Sequence, residues 1–351
     1  MLIRTETMRI RTFEPDDVEV LVRLINEADA LDHAGRRTNP QEVRAFLSQP
    51  GNDPDKNLFI AEIDGKPVGY SELVVRSSRK EKTFLCYGIV LPAFRRRGIG
   101  SRLVNCVMDR AKEIGSDGSR PVFQISARQS IAGVNELAAS LGLRPAECNL
   151  RLELDNLGQL PPMEVPAGVR LRTYQPGRDE QEYVALFNLA FAEHWGNQYT
   201  TVGELRYFFA QPGHDPEGQI LAIVGGKMAG LCGAITEAGE RQRTGRMMGE
   251  IDAVAVHPDY RGLGLGRLLT VAGLHYLKRC GMEAAWLSVI GSNRRARVMY
   301  KSLGFKEKQR TVMWRKVLEM PEIPEVPEIT ATATAGLAMT VTGPWKAASG
   351  R

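Results

Sequence analysis

Apolar positions in this chain follow two spacings, and each marks one kind of element. Ile99, Leu103, Val107, Ala111 and Ile114 recur at the helical period, as do Leu265, Leu268, Leu269, Ala272 and Tyr276. Both sets predict amphipathic helices, over Ile99–Ile114 and Leu265–Cys280. Shorter runs predict strands at Arg9–Thr12 and Val169–Thr173, each followed by an acidic, helix-like stretch, Asp16–Ala28 and Asp179–Phe191. Leu58–Ile63 with Val68–Val75, and Ile220–Val224 with Ala229–Thr236, read as strand pairs joined across a Gly-Lys turn. A strand running up to a proline comes next (Phe84–Leu91, Glu250–His257), then a glycine-rich loop and the long helix. Another strand (Pro121–Ser126, Ala284–Val289), a short helix and a final strand close each series. The pattern is mixed α/β, with more strands than simple βαβ alternation gives.

The order occurs twice because the sequence itself repeats. Arg11-Thr-Phe-Glu-Pro15 returns as Arg172-Thr-Tyr-Gln-Pro176, and Gln49-Pro-Gly-Asn-Asp-Pro54 as Gln211-Pro-Gly-His-Asp-Pro216. Gly65-Lys-Pro-Val-Gly69 returns as Gly226-Lys-Met-Ala-Gly230, Pro92-Ala-Phe-Arg95 as Pro258-Asp-Tyr-Arg261, and Leu141-Gly-Leu143 as Leu303-Gly-Phe305. The offset is nearly constant and grows only across Thr236–Gly249, where the second copy has the longer hairpin. A period this long is a duplicated domain and not a solenoid repeat. Two domains are expected, residues 1–155 and 169–318, joined by a proline-containing linker over 156–168. Residues 319–351 carry Pro-Glu repeats and a Thr/Ala-rich run without apolar periodicity, which predicts a disordered tail.

Composition narrows the class. Apolar content of 43% and charged content of 25% suit a globular protein, and no apolar run is long enough to span a bilayer. The start, Met1-Leu-Ile-Arg-Thr-Glu, carries charges where a secretory signal needs an apolar core, so a cytoplasmic location is expected. Five scattered cysteines and five scattered histidines, without CxxC or HxxxH spacing, predict neither a disulfide framework nor a metal site. The net charge of +5 fits a polyanionic ligand as well as nucleic acid, and no long basic stretch favours the latter.

Arg95-Arg-Arg-Gly-Ile-Gly100 and Arg261-Gly-Leu-Gly-Leu-Gly266 each follow a strand and open a helix. Glycines there let backbone N–H groups and the positive end of the helix dipole approach a phosphate or pyrophosphate. The spacing R-x-x-G-x-G is neither a dinucleotide fingerprint nor a P-loop. In the second copy it is followed by Asn293-Arg-Arg-Ala-Arg-Val-Met-Tyr-Lys-Ser-Leu-Gly-Phe305. Together these motifs resemble the GNAT acetyltransferase superfamily, closely in residues 169–316 and more loosely in 9–155. The tandem layout, Phe191-Ala-Glu-His194 and Asp215-Pro-Glu-Gly218 resemble its tandem branch, which includes the mycothiol synthases.

The resemblance implies two tandem domains, each a mixed, largely antiparallel sheet flanked by helices, and acetyl-CoA as cofactor. It implies that Arg261, Gly262, Leu263, Gly264, Leu265, Gly266 and Arg267 hold the coenzyme A pyrophosphate. Val254, Ala255 and Val256 would line the pantetheine arm and supply an oxyanion donor, with Asn293 and Ala296 beside it. Transfer to an amine needs a neutral nucleophile, and a carboxylate near the acceptor can take the proton, directly or through water. Glu250, eleven positions before Arg261, matches the family's general base, and Asp252 is the reserve candidate. Tyr300 matches the tyrosine that hydrogen-bonds or protonates the departing thiolate. In the first copy Val90, Arg95, Arg96, Arg97, Gly98, Ile99 and Gly100 keep the phosphate loop, but Phe84, Ile131 and Ala138 stand where Glu250, Asn293 and Tyr300 stand. That copy is expected to be non-catalytic.

The expected reaction is direct acetyl transfer to the primary amine of a small polar metabolite, by a monomer or homodimer acting with neither nucleic acid nor membrane. Trp195 and Tyr199, in His194-Trp-Gly-Asn-Gln-Tyr199, are candidate acceptor-pocket aromatics, and a loop-anchoring role fits them equally. Gly233-Ala-Ile235 replaces the Trp-Thr-Lys that mycothiol synthases carry at this place, which argues for a different amine. A protein or peptide acetyltransferase and a non-catalytic coenzyme A sensor are the alternatives.

Overall fold

The arginine that opens each half explains the repeated motif around it. Arg11 makes a two-pronged ion pair with Asp17 at 2.6 and 2.7 Å, and Arg172 makes the same pair with Asp179. Each ties the first strand to the start of the first helix. A second matched pair of contacts follows. The Asn26 side chain spans both backbone groups of Thr38, and Asn188 does the same to Thr200. The duplication is therefore built in hydrogen bonds as well as in sequence.

The computed structural model describes residues 7–32, 37–48, 52–77, 81–192, 199–210, 213–236 and 245–319. The first half runs β1 (Met8–Thr12), α1 (Val18–Asp32), α2 (Pro40–Leu47), the single turn α3 (Pro54–Asn57), β2 (Leu58–Ile63), β3 (Lys66–Ser77), β4 (Glu81–Val90), α4 (Ile99–Ile114), β5 (Arg120–Arg128), α5 (Val134–Ser140) and β6 (Arg144–Leu154). The second runs β7 (Val169–Thr173), α6 (Glu180–Phe191), α7 (Val202–Phe209), β8 (Gln219–Val224), β9 (Lys227–Thr236), β10 (Met248–Val256), α8 (Leu265–Arg279), β11 (Ala284–Ile290), α9 (Arg294–Ser302) and β12 (Lys306–Val317). Helices α2 and α7 carry no signal in the apolar pattern. Their starts are set by caps: the Asn39 side chain accepts from Glu42 N–H, and Thr201 and Glu204 form a reciprocal capping box.

The twelve strands among the described residues form one sheet in the order β1-β2-β3-β4-β5-β12-β6-β11-β10-β9-β8-β7. It is antiparallel except for β4–β5 and β10–β11. The last strand of each copy does not close its own half. β12 pairs with β5 of the first half, and β6 pairs with β11 of the second. The cores follow the strands: Leu150 and Leu152 of β6 pack into the second half's core with Leu269, Leu287 and Tyr300. Trp314 and Leu318, on and just after β12, pack into the first half's core with Phe84 and Phe123. Burying each such side chain stabilises by about 1.5–3 kcal/mol, so the exchanged strands bind the halves into one unit.

The tail beyond 319, the hairpin tip at 237–244 and Trp195 lie outside the described residues.

Candidate active site

Both glycine-rich loops have one backbone shape. In the second half Gly262 and Gly264 take φ of +92° and +76°, and Gly264 caps α8 without any side-chain hydrogen bond. In the first half Arg96 and Gly98 take φ of +65° and +79°, and Gly98 caps α4 in the same way. A Cβ built on Gly262, Gly264 or Gly98 would meet nothing within 4 Å, so it is the left-handed φ, and not crowding, that asks for glycine. The first N–H groups of α4 and α8 are thus left without side-chain caps, and a helix start in that state suits an anion. Leu263 is exposed, whereas Leu265 and Ile99 anchor the helix starts in the cores. Gly266 and Gly100 lie against Val256 and Val90, where the strand end packs close to the helix.

The arginines of the loops are mostly engaged elsewhere. Arg95 grips Asp32 at the end of α1 with both guanidinium nitrogens and donates to Val90 C=O. Arg261 reaches the Ala190 carbonyl of α6, and Arg267 donates to the Ser302 hydroxyl. Arg97 stacks over Phe94. These side chains position the loop against its neighbours, and the loop's backbone is what the geometry offers to a phosphate.

β10 is where the halves differ. It pairs with β11 only from Met248 to Glu250, and beyond Glu250 that edge is unpaired with β11. On its other edge the register with β9 slips between Ile251 and Ala253, leaving Asp252 as a β-bulge. The β3–β4 ladder of the first half has no such slip from Gly69↔Val90 to Ser77↔Lys82. The bulge adds one residue, so the register partner of Glu250 in the first half is Leu85 and not Phe84 as the residue count suggested. Either residue is apolar. Phe84 is fully buried in the core. Ala253 and Ala255 pack toward α6, while Val254 and Val256 pack toward α8. The charge of Asp252 adds to burial in holding the Tyr183 phenol of α6 well above its usual range, so the bulge faces that helix.

Tyr300 of α9 packs in the second half's core, against which Val254 and Val256 of β10 also pack. It is 7% exposed, stands edge-on to Phe305, and its hydroxyl has no hydrogen-bond partner among the described residues. Burial, with the Cys232 thiol nearby, pushes its phenol well above the ordinary value. Asn293 caps α9 through Ala296 N–H, and Ala296 packs on the second core. In the first half α5 starts at Gly133 without a side-chain cap, and Ala138 is fully buried in its core.

The sequence reading missed the neighbours of Glu250. Trp286 stands opposite Glu250 on β11, its indole N–H buried without a partner among the described residues. The Arg151 guanidinium lies 4.0 Å from the Trp286 ring and donates to Glu153. Arg151 belongs to β6, so a first-half strand supplies the side chain that stacks on the register partner of Glu250. Trp286 alternates with the core residues Ala285 and Leu287, a signal visible in the sequence, but only the strand order reveals Arg151. Tyr183 donates to Gln219, and the Gln219 amide lies 3.1 Å from where a Cβ on Gly233 would stand. Tyr199 is strongly exposed. No metal-competent group of His, Cys, Asp and Glu occurs among the described residues.

Three comparisons bear on this arrangement. The model of the acetyltransferase (GNAT) family matches residues 23–120 and again 181–305. A mycothiol acetyltransferase of Thermobispora bispora is 37% identical over 312 residues, covering 88% of this chain and all of the relative. Among solved structures, a GCN5-related N-acetyltransferase from Sphaerobacter thermophilus superposes with a TM-score of 0.69 at 26% identity, covering 88% of this chain and 95% of that one. A tandem GNAT protein from the clavulanic acid biosynthesis pathway shares the fold, with a TM-score of 0.66 at 20% identity.

Proposed function

This chain belongs to the acetyltransferase (GNAT) family and is an acetyl-CoA-dependent N-acetyltransferase, and from that premise we propose that its second half acetylates the primary amine of a small polar thiol. The observation that supports the choice of half is the Asp252 bulge, which follows Glu250 where the pairing of β10 with β11 ends and which the first half lacks. The thiol class comes from the mycothiol acetyltransferases, whose printed name contains a thiol.

The residues divide the work as follows. Uncapped N–H groups at the start of α8, with Gly262 and Gly264, hold the pyrophosphate. The β10 edge at Val254–Val256 receives the pantetheine arm and offers N–H groups to the thioester carbonyl oxygen. Acetyl-CoA supplies the activated acyl group. Glu250 takes the proton that the amine must lose, with Asp252 as the reserve. Tyr300 donates a hydrogen bond to the leaving sulfur. Its raised pKa suits it to holding that bond, since full proton transfer to a thiolate of pKa about 8.5 would run uphill. The first half keeps the cradle but has Leu85 and Ala138 in the places of Glu250 and Tyr300, and it holds coenzyme A without turnover. Gln219 and Tyr183 occupy the wall beside Gly233, so the acceptor is shaped by these two side chains.

Acetyl-CoA-dependent thiol release, run against amino-sugar thiols, polyamines, amino acids and peptides, tests the reading. An amino thiol is expected to lead the panel, with kcat falling at least about tenfold in Tyr300→Phe and about a hundredfold in Glu250→Gln. Unchanged turnover in both variants rejects the site, and a peptide at the head of the panel rejects the substrate class.

A further inference from the structure

The first half contains a cavity that its lost chemistry does not explain. It measures about 110 Å³ and lies among α1, α2, β2 and β3, walled by Leu21, Ile25, Val43, Phe46, Leu58 and Tyr70. Glu72 of β3 completes the lining. That carboxyl is 3% exposed and makes no hydrogen bond or ion pair among the described residues, whereas Asp17, another buried acid of this half, is paired with Arg11. A charged carboxylate buried without a partner costs several kcal/mol, and a cation brought to it offsets that cost. The position is peculiar to the first half. Glu72 stands opposite Tyr87 on β4, and the same ladder position in the second half, opposite Ala253, is Gly233.

We propose that the first half is a binding site for a small organic cation, an ammonium group on an apolar body of about four to six carbons, with Glu72 as its counter-ion. The apolar walls select the alkyl body, and the single carboxylate selects the charge. The other titratable groups on the lining are Glu42 at the α2 rim, where it accepts from Thr38, and the Tyr70 phenol. The Cys86 thiol next to Glu72 is itself buried and pushed up to about 12 by that burial, with Glu72 adding to it, so it stays neutral. Burial raises Glu72 to about 7, and the carboxylate form is therefore available at pH 8.

Calorimetric titration of the full chain at pH 8 with n-butylammonium and cyclohexylammonium tests this, with butanol and cyclohexanol as neutral isosteres. Saturable one-to-one binding of at least one ammonium ion, and of neither alcohol, is expected. Affinity should fall at least about tenfold in Glu72→Gln and stay unchanged in Glu250→Gln, which reports on the other half. Glu72→Gln removes a buried charge and so keeps its fold, which a thermal melt checks. The proposal is overturned if neither ammonium ion binds, if the alcohols bind equally, or if Glu72→Gln binds as well as the parent. It is equally overturned if Glu250→Gln is the variant that loses binding.

Discussion

Among single residues, Glu72 makes the clearest thermodynamic statement. Its folded carboxyl holds a proton up to about pH 7, while the unfolded one releases it near 4.5. Between those values the folded state binds more protons, so this residue's contribution is full below about pH 4.5 and is lost as the pH rises through 7. The loss amounts to at most about 3 kcal/mol. Glu72→Gln is expected to unfold at a higher denaturant midpoint than the parent at pH 8 and to match it at pH 4.5. Equal midpoints at both pH values would show that the carboxyl is not buried as described. Tyr300 illustrates how much of the site was legible. Its place in the N-x-x-A-x-x-x-Y run was readable, because one helix fixes that spacing. Its unpartnered hydroxyl was not, because that depends on strands far away in sequence.

At the level of elements, the two glycine-rich loops form a natural experiment. Both put a residue in the left-handed region two positions before the helix cap, a glycine at 262 and an arginine at 96. The left-handed conformation costs a non-glycine residue about 1 kcal/mol, and the first half bears this to keep the loop's shape. Gly264→Ala is therefore expected to destabilise the protein by about 1 kcal/mol, whereas Arg96→Gly should leave stability equal or slightly higher. Thermal melts of the two variants decide it, and a loss in Arg96→Gly would mean that the guanidinium does more than tolerate its backbone. The strands, turns and long helices were legible, since Asp64-Gly65 and Gly225-Gly226 are the left-handed pairs that two-residue hairpins need. Helices α2 and α7 were not, because a two-turn helix gives too short an apolar period, and their caps have meaning only once the chain direction is known.

The whole molecule is held by exchange. A first half expressed alone would expose the β5 edge and the core face that Trp314 and Leu318 cover, and it would present Leu150 and Leu152 to water. Residues 1–156 and 157–319 made separately are expected to aggregate or stay unfolded, and to form a stable one-to-one complex when co-expressed. Two well-folded monomers on size exclusion would contradict the exchanged topology. The sequence by itself determined the duplication, the order of elements and the two glycine-rich loops, and it singled out Glu250, Asn293 and Tyr300 as the second half's candidates. Each of these is written in neighbours a few residues apart or in a constant offset. Only the tertiary structure decided where in the sheet β6 and β12 pair, that Asp252 bulges, that Arg151 stacks on Trp286, and that Glu72 is buried without a partner among the described residues. Strand pairing is a long-range choice: two closing strands with the same alternation fit beside either β5 or β11, and only the packing of both halves together selects one.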